Sequence, residues 1–152
     1  MEFIIRPLLK EEAVPYEILL LADPSKAVVD EYIDRGQVSV ALVQDEPRGI
    51  VVLLHTRPET YEIVNLAVEE QWQGKGLGKA LLRYAVQQAK DQGAKTVEIG
   101  TGNSSLDQLG FYQREGFRIT GIDRDFFVRH YSEPIVENGI PCVDMLRLSK
   151  EV

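Results

Sequence analysis

A glycine-rich segment carries the residues of this sequence whose types and spacing point most directly to chemistry. Three of its residues are glycines, so the backbone can turn sharply and approach a ligand without a Cβ in the way. The segment leads into a predicted helix, whose first amides lack intrahelical partners and lie at the positive end of the helix dipole. Such a turn is suited to bind a diphosphate. The residues expected to form this site are Gln73, Gly74, Lys75, Gly76, Leu77, Gly78 and Lys79.

Two familiar phosphate sites fit this segment badly. A P-loop needs Ser or Thr after its lysine, but Lys75 is followed by Gly76. A dinucleotide site needs G-x-G-x-x-G directly after a strand, whereas this spacing is G-x-G-x-G and Glu69–Gln73 intervene. A plain connection between strand and helix is the remaining alternative, although such a connection needs only one glycine.

Hydrophobic periodicity and turn residues predict the elements that position this segment. The predicted strands are Phe3–Leu8, Gln37–Val43, Gly49–His55, Tyr61–Val68, Thr96–Gly100, Phe117–Ile122 and Pro141–Leu148. The predicted helices are Lys10–Leu21, one from Pro24 to Arg35 with Asp23 as N-cap, Gly76–Gln92 ended by Gly93, and Ser104–Arg114. Their order predicts one α/β domain over residues 1–152, with a mixed sheet and helices on both faces.

Composition limits the classes of function. Cys142 is the only cysteine, and His55 and His130 have no metal-ligand spacing, so neither a disulfide nor a metal site is expected. The formal charge of -7 disfavours nucleic acid as a partner and favours cationic ones.

Nothing in the sequence indicates a membrane protein. No apolar run approaches the roughly 18 residues of a membrane span. The N-terminus lacks the basic region and the cleavage site of a signal peptide. We therefore expect a cytoplasmic protein with no membrane partner.

Three blocks of sequence together resemble one family. They are Gln73-x-x-Gly76-x-Gly78, Asn65-Leu66-Ala67-Val68 and Phe111-Tyr112-x-x-x-Gly116-Phe117. Their order and spacing are similar to those of the GCN5-related N-acetyltransferase (GNAT) superfamily, in its small-molecule or uncharacterised bacterial type. The resemblance implies a mostly antiparallel sheet of about six to seven strands. It also implies acetyl-CoA as the donor substrate.

The resemblance assigns roles to individual residues. The turn amides would hold the coenzyme A diphosphate, and Leu66, Ala67 and Val68, beside a bulge in their strand, would pair with the pantetheine arm. Tyr112 would protonate the leaving thiolate, with a core tyrosine as the alternative. Glu62 would act as the general base, with a solvated glutamate as the alternative. Strand alternation predicts that Glu62, Val64, Leu66 and Val68 share a face.

One position departs from the family pattern. Many members have an asparagine seven residues before the tyrosine, where this chain has Ser105. Asn103 lies nine before it. Either residue could contact the pantetheine arm, or Asn103 could cap the helix that starts at Ser104.

The long segment from Asp123 to Pro134 links the last two predicted strands and borders the acceptor site in this fold. Its aromatic residues could form a wall and its carboxylates, Asp123 among them, could attract an amine; a surface loop or a homodimer contact is the alternative. The predicted activity is acetyl transfer from acetyl-CoA to a primary amine, carried by a small molecule or a peptide, by direct attack in a ternary complex. A non-catalytic acyl-CoA sensor or interaction module on the same fold is the alternative.

Overall fold

The computed structural model describes residues 2–152. The chain divides into two compact units, the first ending at Lys95 and the second spanning Thr96–Val152. The first contains β1 (Ile4–Pro7), α1 (Tyr16–Ala22), α2 (Lys26–Ile33), β2 (Gln37–Val43), β3 (Glu46–Arg57), β4 (Thr60–Val68), a 3-10 turn (Glu70–Trp72) and α3 (Leu77–Asp91). The second contains β5 (Thr96–Gly102), α4 (Leu106–Arg114), β6 (Arg118–Asp123), α5 (Phe126–His130), β7 (Val136–Glu137), β8 (Ile140–Pro141) and β9 (Met145–Glu151).

In the first unit, β1 to β4 pair in sequence order, each antiparallel to the next. The predicted hairpin of β2 and β3 is present, but its turn is tighter than the five residues expected. Only Gln44 and Asp45 lie between the strands, and both have a positive φ, of 51° and 64°. Left-handed backbone at both positions gives the turn the twist of the flanking strands, so β3 begins at Glu46.

Helices cover both faces of this four-stranded sheet, as predicted. On one face, α1 and α2 bury Ile18, Leu19 and Val29 against inward side chains of β2 and β3. On the other, α3 lies so close to β3 that a Cβ on Gly49 would be 2.8 Å from Leu81 Cδ1. Leu81 is fully buried. Burying such side chains contributes roughly 1.5–3 kcal/mol each.

The predicted cap of α2 is wrong by two residues. Ser25, not Asp23, is the N-cap, and its hydroxyl accepts a hydrogen bond of 3.3 Å from the Val28 amide. The Asp23 carboxylate instead accepts a 3.0 Å bond from the Tyr32 hydroxyl. Asp23 ends α1, because its backbone amide donates to the Leu19 carbonyl.

In the second unit, β9 pairs with both β5 and β6, antiparallel in each case. The segment after β6 differs from the prediction, because α5 lies within the expected link between strands. The β7–β8 hairpin was also missed, and the predicted last strand begins only at Met145. Among residues 2–152, no helix is long and apolar enough to cross a membrane.

Candidate functional site

The glycine turn has the open backbone that an anion site requires. Gly74 and Gly76 have φ angles of 72° and 92°, and a Cβ at either position would meet no atom within 4 Å. Gly76 is the N-cap of α3 and supplies no side-chain cap, so the first amides of α3 depend on other partners. Leu77 is 1% exposed, so its side chain belongs to the core and its amide is what it can offer a ligand.

The upstream end of the turn is tied to the end of β4. The Gln73 side-chain amide donates a hydrogen bond of 3.0 Å to the Val68 carbonyl. The family resemblance predicts backbone groups of Val68 that are open to the pantetheine arm, but the Val68 carbonyl already accepts this bond. The signature glutamine therefore closes the turn onto the strand that precedes it.

A β-bulge lies just before the predicted cofactor strand segment, as the resemblance implies. Val52 of β3 pairs with Asn65, but the next residue, Leu53, pairs with Ile63. Val64 is therefore an extra residue on β4. Because of this extra residue, the side chains before the bulge lie on the opposite face from the one that regular alternation predicts from the residues after it.

The bulge overturns the prediction that Glu62 shares a face with Leu66 and Val68. The Val68 side chain faces α3, since its Cγ2 lies 3.8 Å from the position of a Cβ in the first turn of that helix. Glu62 pairs with Leu54, whose side chain packs against the core under α1 and α2. Paired residues lie on one face, so Glu62 faces the α1 and α2 side. Val64 packs on that side too.

A buried polar network adjoins the bulge on the same side. The Asn65 amide donates to the Leu19 carbonyl at 3.1 Å and to the Tyr32 hydroxyl at 3.0 Å. Tyr32 in turn donates to Asp23, and its burial raises the pKa of its phenol. The Asn65 Oδ1 atom is buried without a hydrogen-bond partner. The sequence motifs assign Asn65 no role of its own, although an asparagine within an apolar strand is a signal for such a network.

Tyr112 lies on α4 in the second unit and is 6% exposed. Its ring is 5.5 Å from that of Phe111 and 6.3 Å from that of Phe117, between centroids. Burial raises the pKa of its phenol, so the hydroxyl keeps its proton at neutral pH. Tyr112 is thus a core tyrosine by packing, and its role as a proton donor stays a prediction.

Asn103 does not cap α4, because the N-cap is Ser105. Its Oδ1 accepts hydrogen bonds from the amides of Val143 and Asp144, at 2.9 and 3.0 Å. Its Nδ2 donates to the Pro141 carbonyl at 3.1 Å. Asn103 therefore fixes the segment before β9 to the end of β5. Contact of Asn103 or Ser105 with the cofactor stays a prediction.

The segment after β6 contains the predicted aromatic cluster. The Asp123 carboxylate, which was predicted to attract an amine, is instead paired with two arginines. The Phe126 and Phe127 ring centroids are 5.2 Å apart. The Asp123 carboxylate accepts hydrogen bonds from Arg129 at 2.7 Å and from Arg147 at 3.3 Å. The bond from Arg129, the largest cause, lowers the Asp123 pKa.

The predicted residues thus fall into two groups. The cofactor strand, the glycine turn and Glu62 lie in the first unit, and Tyr112 and Asn103 lie in the second. In the described residues 2–152, no group of three His, Cys, Asp or Glu side chains is placed to hold a metal.

Comparison with known proteins identifies the family. A family model described as Acetyltransferase (GNAT) family matches residues 6–117. The uncharacterised N-acetyltransferase YvbK of Bacillus subtilis is 60% identical over 133 residues, which cover 88% of this chain and 86% of that protein.

Solved structures agree along the whole chain. An IAA acetyltransferase from Bacillus cereus is 52% identical with a TM-score of 0.95, covering 99% of this chain and 100% of its own. A GNAT acetyltransferase from Elizabethkingia anophelis, with acetyl-CoA bound, is 45% identical with a TM-score of 0.97, covering 99% and 98%. These matches confirm the α/β class with a seven-stranded, mixed and mostly antiparallel sheet. The chain therefore belongs to the acetyltransferase (GNAT) family and is an N-acetyltransferase of the bacterial type.

Proposed function

We propose that this enzyme transfers the acetyl group of acetyl-CoA to a primary amine by direct attack in a ternary complex. The observation that carries the proposal is the uncapped N-terminus of α3, preceded by two left-handed glycines with open space above them. Unpaired amides and the helix dipole together favour a bound diphosphate there. The acetyl-CoA bound to the Elizabethkingia relative supports the choice of ligand.

The donor would lie along β4 and the glycine turn. Amides from Gln73 to Lys79 would bind the diphosphate, with Lys75 and Lys79 adding mobile positive charge. Both lysines are exposed, so they can move to meet the phosphates. Backbone groups near Leu66 to Val68 would pair with the pantetheine arm in the manner of an added strand, and their amides would polarise the thioester carbonyl.

The acceptor would approach β4 from the side of α1 and α2, because Glu62 faces that side. Glu62 would take a proton from the ammonium form of the acceptor, directly or through water. The free amine nitrogen would then attack the thioester carbon, and the C–S bond would break with its electron pair on sulfur. Tyr112 would give that thiolate its proton. The nitrogen would lose its second proton as the amide forms, and that proton would restore the Tyr112 phenol, directly or through water. The phenol is protonated at neutral pH, and burial raises its pKa further.

The formal charge of -7 favours a cationic acceptor, either a small-molecule amine or a peptide amine. The alternative from the sequence, a non-catalytic acyl-CoA sensor, needs the same glycine turn, but the assignment of the chain as an N-acetyltransferase stands against it. The two differ in what they require of Tyr112. A sensor has no use for a proton donor, so loss of the phenol would leave its ligand affinity and function unchanged.

Two measurements test the proposal. Calorimetric titration with acetyl-CoA, ATP and NAD should show binding of acetyl-CoA alone, and binding of either other nucleotide instead would contradict the ligand. Steady-state thiol release with a panel of polyamines, amino acids, aminoglycosides and lysine peptides should then find an accepted amine. Binding of acetyl-CoA with no thiol release across the panel would favour the sensor.

A further inference from the structure

The upstream arm of the glycine turn, residues Glu69–Trp72, has little buried surface to hold it in place. The 3-10 turn Glu70–Trp72, which connects β4 to the glycines, contains no buried residue. Each of the following glycines adds backbone entropy that must be lost when the turn is ordered. Downstream, by contrast, the buried Leu77 and Leu81 hold α3 to the core. Something other than burial must fix the upstream arm.

Arg48, on β3, contacts this arm at three points. Its carbonyl accepts a 2.9 Å hydrogen bond from the Glu69 amide. Its guanidinium donates to the Glu69 carboxylate at 3.2 Å and 3.4 Å. The guanidinium carbon also lies 5.5 Å from the centroid of the Trp72 ring, in cation–π contact. Glu69 and Trp72 are themselves joined, because the Trp72 amide donates to the Glu69 carbonyl at 2.9 Å.

Arg48 also occupies a β-bulge. Ala41 of β2 pairs with Gly49, whereas the adjacent Leu42 pairs with Pro47, so Arg48 is the extra residue on β3. Bulges redirect the side chain that they carry and are common beside functional sites. A regular strand would place Arg48 in the alternation of its neighbours. The bulge therefore accounts for how an arginine within β3 reaches residues that follow β4.

The charge of Arg48 matters as much as its position. Glu69 lies at the base of a turn that is proposed to hold a diphosphate, where an unpaired carboxylate would repel the ligand. Both side chains are partly shielded from water, with 30% of Arg48 and 23% of Glu69 exposed. The ion pair is therefore screened less by solvent than a fully exposed pair would be.

We propose that Arg48 is a positioning residue for the coenzyme A diphosphate, which holds the Glu69–Trp72 arm in place and neutralises Glu69 beside the bound anion. The inference rests on the proposed function, because it concerns the diphosphate site described there. It assigns Arg48 no contact with the reacting atoms. Its substitution should therefore affect KM for acetyl-CoA and leave kcat nearly unchanged.

The test compares Arg48→Met with wild type on two donors. Acetyl-CoA carries the diphosphate, whereas S-acetylpantetheine carries the same thioester and arm without it. Arg48→Met should raise KM for acetyl-CoA by roughly tenfold and change kcat/KM for S-acetylpantetheine less than about twofold. Arg6→Met is the matched control, because Arg6 forms a similar pair with Glu12, in which the side chains are 33% and 31% exposed. Arg6→Met should leave KM for acetyl-CoA and kcat/KM for S-acetylpantetheine unchanged.

A second substitution separates charge from packing. Adding Glu69→Gln to Arg48→Met removes the carboxylate that has lost its cation and should restore part of the affinity for acetyl-CoA. Arg48→Lys should lose less of this affinity than Arg48→Met. Equal losses with both donors, no recovery in the double variant, or an unchanged KM in Arg48→Met would each overturn the role of Arg48. Calorimetry on wild type distinguishes the two proposals. A wild type that binds no CoA overturns both, whereas normal binding with an unaffected Arg48→Met overturns only this one.

Discussion

Gly76 and Gly93 lie at opposite ends of helix α3 and share a φ of 92°. A Cβ at either position would meet no atom within 4 Å, so the penalty for a side chain is in both cases that of left-handed backbone. This penalty is about 1–2 kcal/mol. The two glycines thus form a matched pair, of which only Gly76 adjoins the proposed diphosphate site.

Gly76→Glu should weaken CoA binding at least a hundredfold, whereas Gly93→Glu should leave the affinity within about threefold of wild type. Both substitutions strain the backbone alike, but only the first brings a carboxylate against the diphosphate. Calorimetric Kd values and thermal midpoints of the two variants provide the comparison. Similar Kd values for the two variants would place the diphosphate elsewhere.

Tyr112→Phe should lower kcat by about 10²-fold or more while leaving the Kd for CoA nearly unchanged, because it removes the proton donor and keeps the ring. Tyr61→Phe is the control, because Tyr61 is equally buried, at 7% exposure, and has no proposed role in catalysis. Its hydroxyl donates a hydrogen bond to Gln92. Single-turnover kinetics and titration separate chemistry from binding. Equal losses in kcat and affinity would remove the acid assignment.

Glu62→Gln should abolish the acidic limb of the pH–rate profile for kcat/KM, because an amide cannot take the proton of the acceptor ammonium. Glu98→Gln, in a half-buried strand position of β5, serves as the control and should keep the wild-type profile. Rates are measured from pH 5 to 9 with the accepted amine well below its KM, so that they report kcat/KM. A Glu62→Gln profile that overlays wild type would assign the base to another group.

Glu12 should make the stability of the fold depend on pH. A hydrogen bond from Arg6, followed by one from the Leu9 amide, lowers the Glu12 pKa from 4.5 to about 2. Because the pKa is lower in the folded state, the ionised carboxylate stabilises the fold at pH values above the ordinary pKa of 4.5. This contribution is lost as the pH falls from 4.5 through about 2.

Glu12→Gln should therefore lower the urea midpoint at pH 7 more than at pH 2. The exposed neighbour Glu11, changed to Gln, controls for loss of one negative charge and should shift the midpoint little at either pH. An equal loss for Glu12→Gln at both pH values would show that the carboxylate charge contributes nothing to folding.

The elements set by local backbone chemistry are those that the sequence could predict. The bounds of β2 agree residue for residue, and Gly93 ends α3 with the positive φ that its type indicates. The cap of α2 was missed because two capping residues, Asp23 and Ser25, compete within three positions. Tertiary contacts decide between them, since Tyr32 takes the Asp23 carboxylate. The five-residue helix α5 is too short to show a helical period.

The site was predictable where it depends on backbone and not where it depends on contacts distant in sequence. The open glycine turn follows from its composition. The bulge at Val64 does not, because burial still alternates along β4 and conceals the change of facing. The ion pairs of Asp123 with Arg129 and Arg147 also join separate elements, so no spacing rule reveals them. The sequence signal for the β7–β8 hairpin is the Asn138-Gly139 pair, in which both residues have a positive φ.

The extra residue at Val64 divides β4 into two segments whose side chains alternate in opposite phase. The side chains of Glu62 and Val68 face different helical layers, although the two residues are six positions apart, an even offset that regular alternation would place on one face. A library that randomises Glu62 can therefore alter the layer of α1 and α2 without touching the packing of α3. Deleting Val64 would merge the segments and exchange their partners, so length variation at this one position should be far less tolerated than substitution. The bulge therefore separates the side of β4 proposed to meet the acceptor from the side that packs against α3.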